Sequence, residues 1–212
     1  MTIHWSLLVP AVLLLLFPAD RLLSSRVELR SFESFQNLVN SPRHRPWWWV
    51  PGLWLDPWRG LLGTLLLRGA VDISAETWEL TPKPQYALLL GILAAGVLSQ
   101  TVTRRGDGRV LLAPVGFVAG VVGGLTPWTV GLLTIVTGMV GLFALRHLQA
   151  FFAFAFVAVC LLGAALGAGA GWIGAAAGSL ALPIIAGLVT GSTLEVPTRN
   201  DTGRQAAPLS KI

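Results

Sequence analysis

Residues 149–191 read QAFFAFAFVAVCLLGAALGAGAGWIGAAAGSLALPIIAGLVTG, from Gln149 to Gly191, without one Asp, Glu, Lys, Arg or His. A helix in water needs a polar face, and this stretch offers none. A bilayer crossing needs about 20 mostly apolar residues. The stretch is long enough for two. The sequence therefore predicts a chain for which hydrocarbon, not water, is the main solvent.

The bulk composition agrees. The 212 residues are 54% hydrophobic and 12% charged, with a mean hydropathy of +0.70. Soluble domains carry about 25% charged residues. The formal charge of +5 does not point to nucleic acid, because the arginines fall in short stretches between apolar runs, where positive charge orients a membrane protein. Cys160 is the single cysteine, which leaves no intramolecular disulfide and no thiolate cluster. Arg21, Arg26 and Arg30 follow the first apolar run instead of preceding it, so that run reads as a retained anchor.

Seven apolar segments stand out: Ile3–Phe17, Trp47–Leu67, Gln85–Thr103, Val110–Leu125, Pro127–Leu145, Gln149–Ala170 and Trp172–Thr190. The expected fold is all-α, a polytopic helical membrane protein of about seven (six to seven) transmembrane helices. Residues 1–191 form one membrane domain and 192–212 a polar cytoplasmic tail. If all seven segments cross, Arg21, Arg26, Arg30, Arg43, Arg45, Arg104, Arg105, Arg109, Arg146, Arg199, Arg204 and Lys211 share one side. The positive-inside rule then sets the N-terminus outside and the C-terminus in the cytoplasm. The expected location is a cytoplasmic (inner) membrane of bacterial type.

The second segment is the exception. Asp56-Pro57 reads as a helix start, and Trp58, Leu61, Leu62, Leu65 and Leu66 then form an apolar stripe with Arg59 and Arg68 off it. Such a helix either crosses or lies flat in the interface. Between segments one and two, 24–46 has the spacing of a cytoplasmic amphipathic helix, with Val27, Phe32, Phe35, Leu38 and Val39 on one side. The fourth segment is short and is read as crossing or as a re-entrant pair with the fifth, turning at Thr126-Pro127-Trp128.

Two patterns carry candidate contacts. Gly116, Gly120 and Gly124 repeat at four residues, as do Gly163, Gly167 and Gly171, followed by Gly174 and Gly178. Lipid gives no hydrophobic drive between helices, so small residues that admit close backbone approach mark packing faces. Arg43, His44, Arg45, Trp47, Trp48, Trp49, Trp54, Trp58 and Arg59 form a basic, indole-rich stretch suited to a lipid headgroup or a partner protein.

Signatures of chemistry are missing. His4, His44 and His147 lie far apart, with no metal-ligand spacing, and no cofactor is indicated. Neither a G-x-S-x-G elbow nor a Walker loop occurs. Ser179 lacks the Gly-x-Ser-Gly pattern of rhomboid proteases, and the last span has no Lys for a retinal Schiff base. Size and topology are similar to bacterial membrane glycerol-phosphate acyltransferases, but that family's Gly-Asn and Gly-Gly-Lys-Gly loops are absent. The reading that remains is a non-enzymatic membrane subunit. It would pack through Gly-rich helices into a homo- or hetero-oligomeric complex, with membrane lipids and other subunits or copies of itself as partners. A transporter or channel for a small neutral or apolar solute is the alternative, and a lipid-processing enzyme built on Arg43, His44, Arg45, Asp56 and Arg59 the third reading.

Overall fold

A computed structural model describes residues 4–17, 27–30, 51–71, 84–105, 108–111, 113–191, 194 and 196–199. Among them are seven helices: α1 (Trp5–Leu16), α2 (Pro51–Ala70), α3 (Pro84–Thr101), α4 (Val115–Leu125), α5 (Trp128–Leu145), α6 (Leu148–Ala165) and α7 (Ala170–Thr190). Four short strands, β1 (Val27–Arg30), β2 (Val102–Arg105), β3 (Gly108–Leu111) and β4 (Val196–Arg199), pair as β1–β4 and β2–β3, both antiparallel.

Three helices, α5, α6 and α7, are long and apolar enough to cross a membrane. At 1.5 Å per residue they span about 27–32 Å, against a hydrocarbon core about 30 Å thick. Helices α1 and α4 hold 12 and 11 residues, so they reach only about 18 and 17 Å.

The helices alternate in direction. His4 N–H donates to the Ala70 carbonyl, so α1 and α2 run antiparallel. Gln100 reaches Phe17, which brings the carboxyl ends of α1 and α3 together. Tyr86 donates to Gly171, which does the same for the amino ends of α3 and α7. Gly138 meets Phe151 and Gly163 meets Ile173, as antiparallel α5–α6 and α6–α7 pairs require. One end of the bundle thus gathers the carboxyl ends of α1, α3, α5 and α7, and the segments that follow these ends in the chain hold twelve of the fifteen Lys and Arg residues.

Packing is closest between α2 and α4. A Cβ added at Gly120 would stand 2.1 Å from the Pro57 carbonyl oxygen, and one at Gly60 2.2 Å from that of Phe117. The two backbones touch, and only glycine at both positions admits the approach. Phe117, Val118, Val121, Phe151, Phe152 and Val159 are among the fully buried residues that fill the centre.

Three expectations change. Helix α2 runs unbroken from Pro51, so Asp56-Pro57 does not start it. Pro51 takes the first turn, where proline suits, while Pro57 lies inside the helix and the Asp56 carboxylate is occupied by Arg59 at 2.9 Å instead of capping backbone N–H groups. Helix α3 stops at Thr101 and the chain forms a hairpin before α4, where helical ends to Thr103 and from Val110 were expected. Val102-Thr103 followed by Gly106 and Gly108 favours strand and turn over helix. Finally, Val27–Arg30 is extended and pairs with Val196–Arg199, not helical. The rest of 24–46 lies outside the described residues.

Candidate functional site

Helix α2 carries the polar groups that the fold turns inward. Its Gly60, Gly63, Thr64 and Leu67 are buried against α1 and α4, whereas Trp54, Trp58, Leu62 and Leu65 are exposed. In water the apolar stripe would face the core. Here its Trp58, Leu62 and Leu65 face out and the charged residues sit on the flanks of the inner face.

Arg59 occupies the flank toward α1 and is only 9% exposed. Its Nη1 donates to Asp56 Oδ1 at 2.9 Å. Its Nη2 donates to the carbonyls of Leu14, at 3.3 Å, and Phe17. The rings of Phe17 and Phe117 lie 5.8 and 5.9 Å from the guanidinium carbon. Gln100, 2% exposed, enters from α3 and donates to Phe17 O at 2.6 Å. The last carbonyls of a helix have no intrahelical partner, and they carry the negative end of the helix dipole. A cation and an amide meeting there supply both donors and compensating charge.

Arg68, on the opposite flank, repeats the arrangement at the other end of the bundle. Its Nη1 donates to Gly124 O at 2.9 Å, the penultimate residue of α4, and its guanidinium lies 4.5 Å from the centre of the Trp172 ring. Tyr86 Oη donates to Gly171 O at 2.7 Å nearby. The two short helices thus each end inside the protein on an arginine of α2. Irregular backbone at membrane depth is tolerated only where protein supplies such partners.

Of the glycines expected at packing faces, Gly120 and Gly124 lie against α2 and Gly163 against Ile173 of α7. Gly171 accepts Tyr86, and Gly174 faces the same hydroxyl. Gly167 adopts φ +65° in the turn after α6 and, like Gly178, has nothing within 4 Å of an added Cβ. Gly116 is half-buried on α4. Gly60, Gly138 and Gly141, not singled out in the sequence, face Phe117, Phe151 and Phe154. Trp54 and Trp58 are exposed at one end of the bundle and Trp5 and Trp128 at the other. Arg59, expected at an interface, is buried. Arg43, His44, Arg45, Trp47, Trp48 and Trp49 lie outside the described residues.

Arg68 and Gln100 receive no site role from the sequence, although Gln100 stands out there as the most polar side chain well inside the last five apolar segments. Among the described residues, no three His, Cys, Asp or Glu side chains gather as a metal site.

The fold and the site define a helical protein with three helices of membrane-spanning length and composition. No family model, curated protein or solved structure matches the chain.

Proposed function

We propose that this chain is a seven-crossing, non-enzymatic subunit of a membrane complex, with its N-terminus outside and its C-terminus in the cytoplasm. The observation that carries the reading is the orientation of α2. Its charged residues are used to end neighbouring helices, and its indoles and leucines are left outside. The alternation of helix directions supports seven crossings, because it keeps the arginine-bearing junctions at one end. Exposed Trp54 and Trp58 at that end, and Trp5 and Trp128 at the other, suit two interfacial belts.

The exterior of the last three helices supports a packing role. Thr137, Ala153, Phe154, Val157, Ala158, Leu161 and Leu162 line an open apolar groove of about 490 Å³ between α5 and α6. Purification from native membranes in mild detergent tests the reading. Co-purifying chains or a defined oligomer support it, and a monodisperse monomer without partners contradicts it.

One observation favours a second reading, transport. The Asp56–Arg59 pair is a part-buried charge pair beside the carboxyl end of α1, and charged groups turned inward in membrane proteins mark solute or ion pathways. Solute flux in proteoliposomes, lost in Asp56→Asn while the protein still inserts, would select this reading over the first.

A further inference from the structure

The chain turns back on itself after its last helix. Gly191 closes α7 in the left-handed region, at φ +62°, where glycine is the usual stop for a helix. Three residues on, Leu194 is 4% exposed and belongs to the same apolar core as the helices. Then β4 begins and pairs with β1 in the register Val27↔Arg199, Glu28↔Thr198, Leu29↔Pro197 and Arg30↔Val196. The segments that follow the first and the last helix are thereby joined.

Proline sets the phase of this ladder. In an antiparallel pair, opposed residues alternate between exchanging both backbone hydrogen bonds and exchanging none. Pro197 has no N–H, so Leu29↔Pro197 is a pair without bonds. Val27↔Arg199 is then another, and Glu28↔Thr198 and Arg30↔Val196 are the bonded pairs. The missing donor falls on the outward edge of β4, where the ladder does not need it.

Two bonded pairs are a weak hold. A lone two-stranded ribbon is marginal in water, and among the described elements β1 and β4 pack closely only on each other. Leu194, in contrast, is fastened in the core. We propose that residues 196–199 form a releasable strap. It is anchored at Leu194, closes by pairing with β1, and opens as a unit while the helices stay packed. Open, it leaves the backbone groups of Glu28 and Arg30 unpaired. Elements that move in regulation are drawn from units of such low local stability. The strap does not depend on how many helices cross a membrane.

The test is amide hydrogen exchange of the full chain in detergent, read residue by residue by NMR. In the wild type, Glu28 and Arg30 exchange about tenfold more slowly than Val27 and Leu29, relative to their intrinsic rates, the effect of one backbone hydrogen bond. Thr198→Pro removes an inward donor and erases that difference. Arg199→Pro removes an outward one and keeps it. Leu194→Ser frees the anchor and speeds Glu28 and Arg30 alike. In all three variants the amides of Phe151 to Val159, in the packed part of α6, exchange as in the wild type. The proposal is overturned if Glu28 and Arg30 are not protected, or if the two proline variants behave alike. It is also overturned if Leu194→Ser leaves Glu28 and Arg30 unchanged. Faster exchange of Phe151 to Val159 in Thr198→Pro overturns it too, because the strand is then part of the bundle's own cooperative unit.

Discussion

Arg59 of α2 donates to the carbonyl oxygen of Phe17, the residue that closes α1, and the same oxygen receives the side-chain amide of Gln100. Three helices meet at one acceptor. The last carbonyls of α1 have no intrahelical partner, and these two side chains supply donors for them.

Removing the guanidinium therefore has a large effect. Arg59→Ala leaves Asp56 without its cation and takes a donor from two carbonyls. The pair is part-buried, so the loss stays below the about 3–5 kcal/mol of a fully buried ion pair. Asp56→Asn keeps the contacts of Arg59 with α1 and is the milder change. Denaturant titration of the purified protein in detergent checks both, and the predicted order is wild type, Asp56→Asn, Arg59→Ala.

Glycine substitutions separate packing from propensity. Gly120→Ala drives a methyl into the Pro57 carbonyl and forces α2 and α4 apart. Overpacking of this kind costs about 1–3 kcal/mol or more. Gly178→Ala meets nothing within 4 Å and lies inside α7, so it gains about 0.5–1 kcal/mol of helix propensity. Opposite signs in thermal unfolding are the expected outcome.

The second arginine is tested by coupling. Arg68 lies 4.5 Å from the Trp172 ring centre and holds Gly124 O. A double-mutant cycle with Arg68→Ala and Trp172→Leu should return about 0.5–2 kcal/mol for the cation–π contact. Trp172→Leu alone leaves the bond to Gly124 in place and is the smaller loss.

Much of this architecture was legible in the residues. The apolar runs lie within a few positions of all seven helices, because long apolar runs bounded by Pro, Gly and charged stretches favour buried helix. Gly120 and Gly124 were legible as small residues at helical spacing. What sequence could not decide was the direction in which α2 faces. Trp58, Leu62 and Leu65 form the same stripe whether it packs inward against protein or outward against lipid. Only the contacts of Arg59, Arg68 and Gly60 with neighbouring helices break that symmetry. Likewise, Val27–Arg30 finds its strand partner in Val196–Arg199, and no local pattern in either segment announces a pairing so far along the chain.

The membrane path is tested most directly by single cysteines in a Cys160→Ala background, at His4, Pro127, His147 and Gly191, all exposed at helix ends. An impermeant maleimide applied to intact cells should label positions 4 and 127 at once, and positions 147 and 191 only after permeabilisation. Labelling of 4 and 191 from the same side would contradict an odd number of crossings, and with it the account of α2 as a spanning helix.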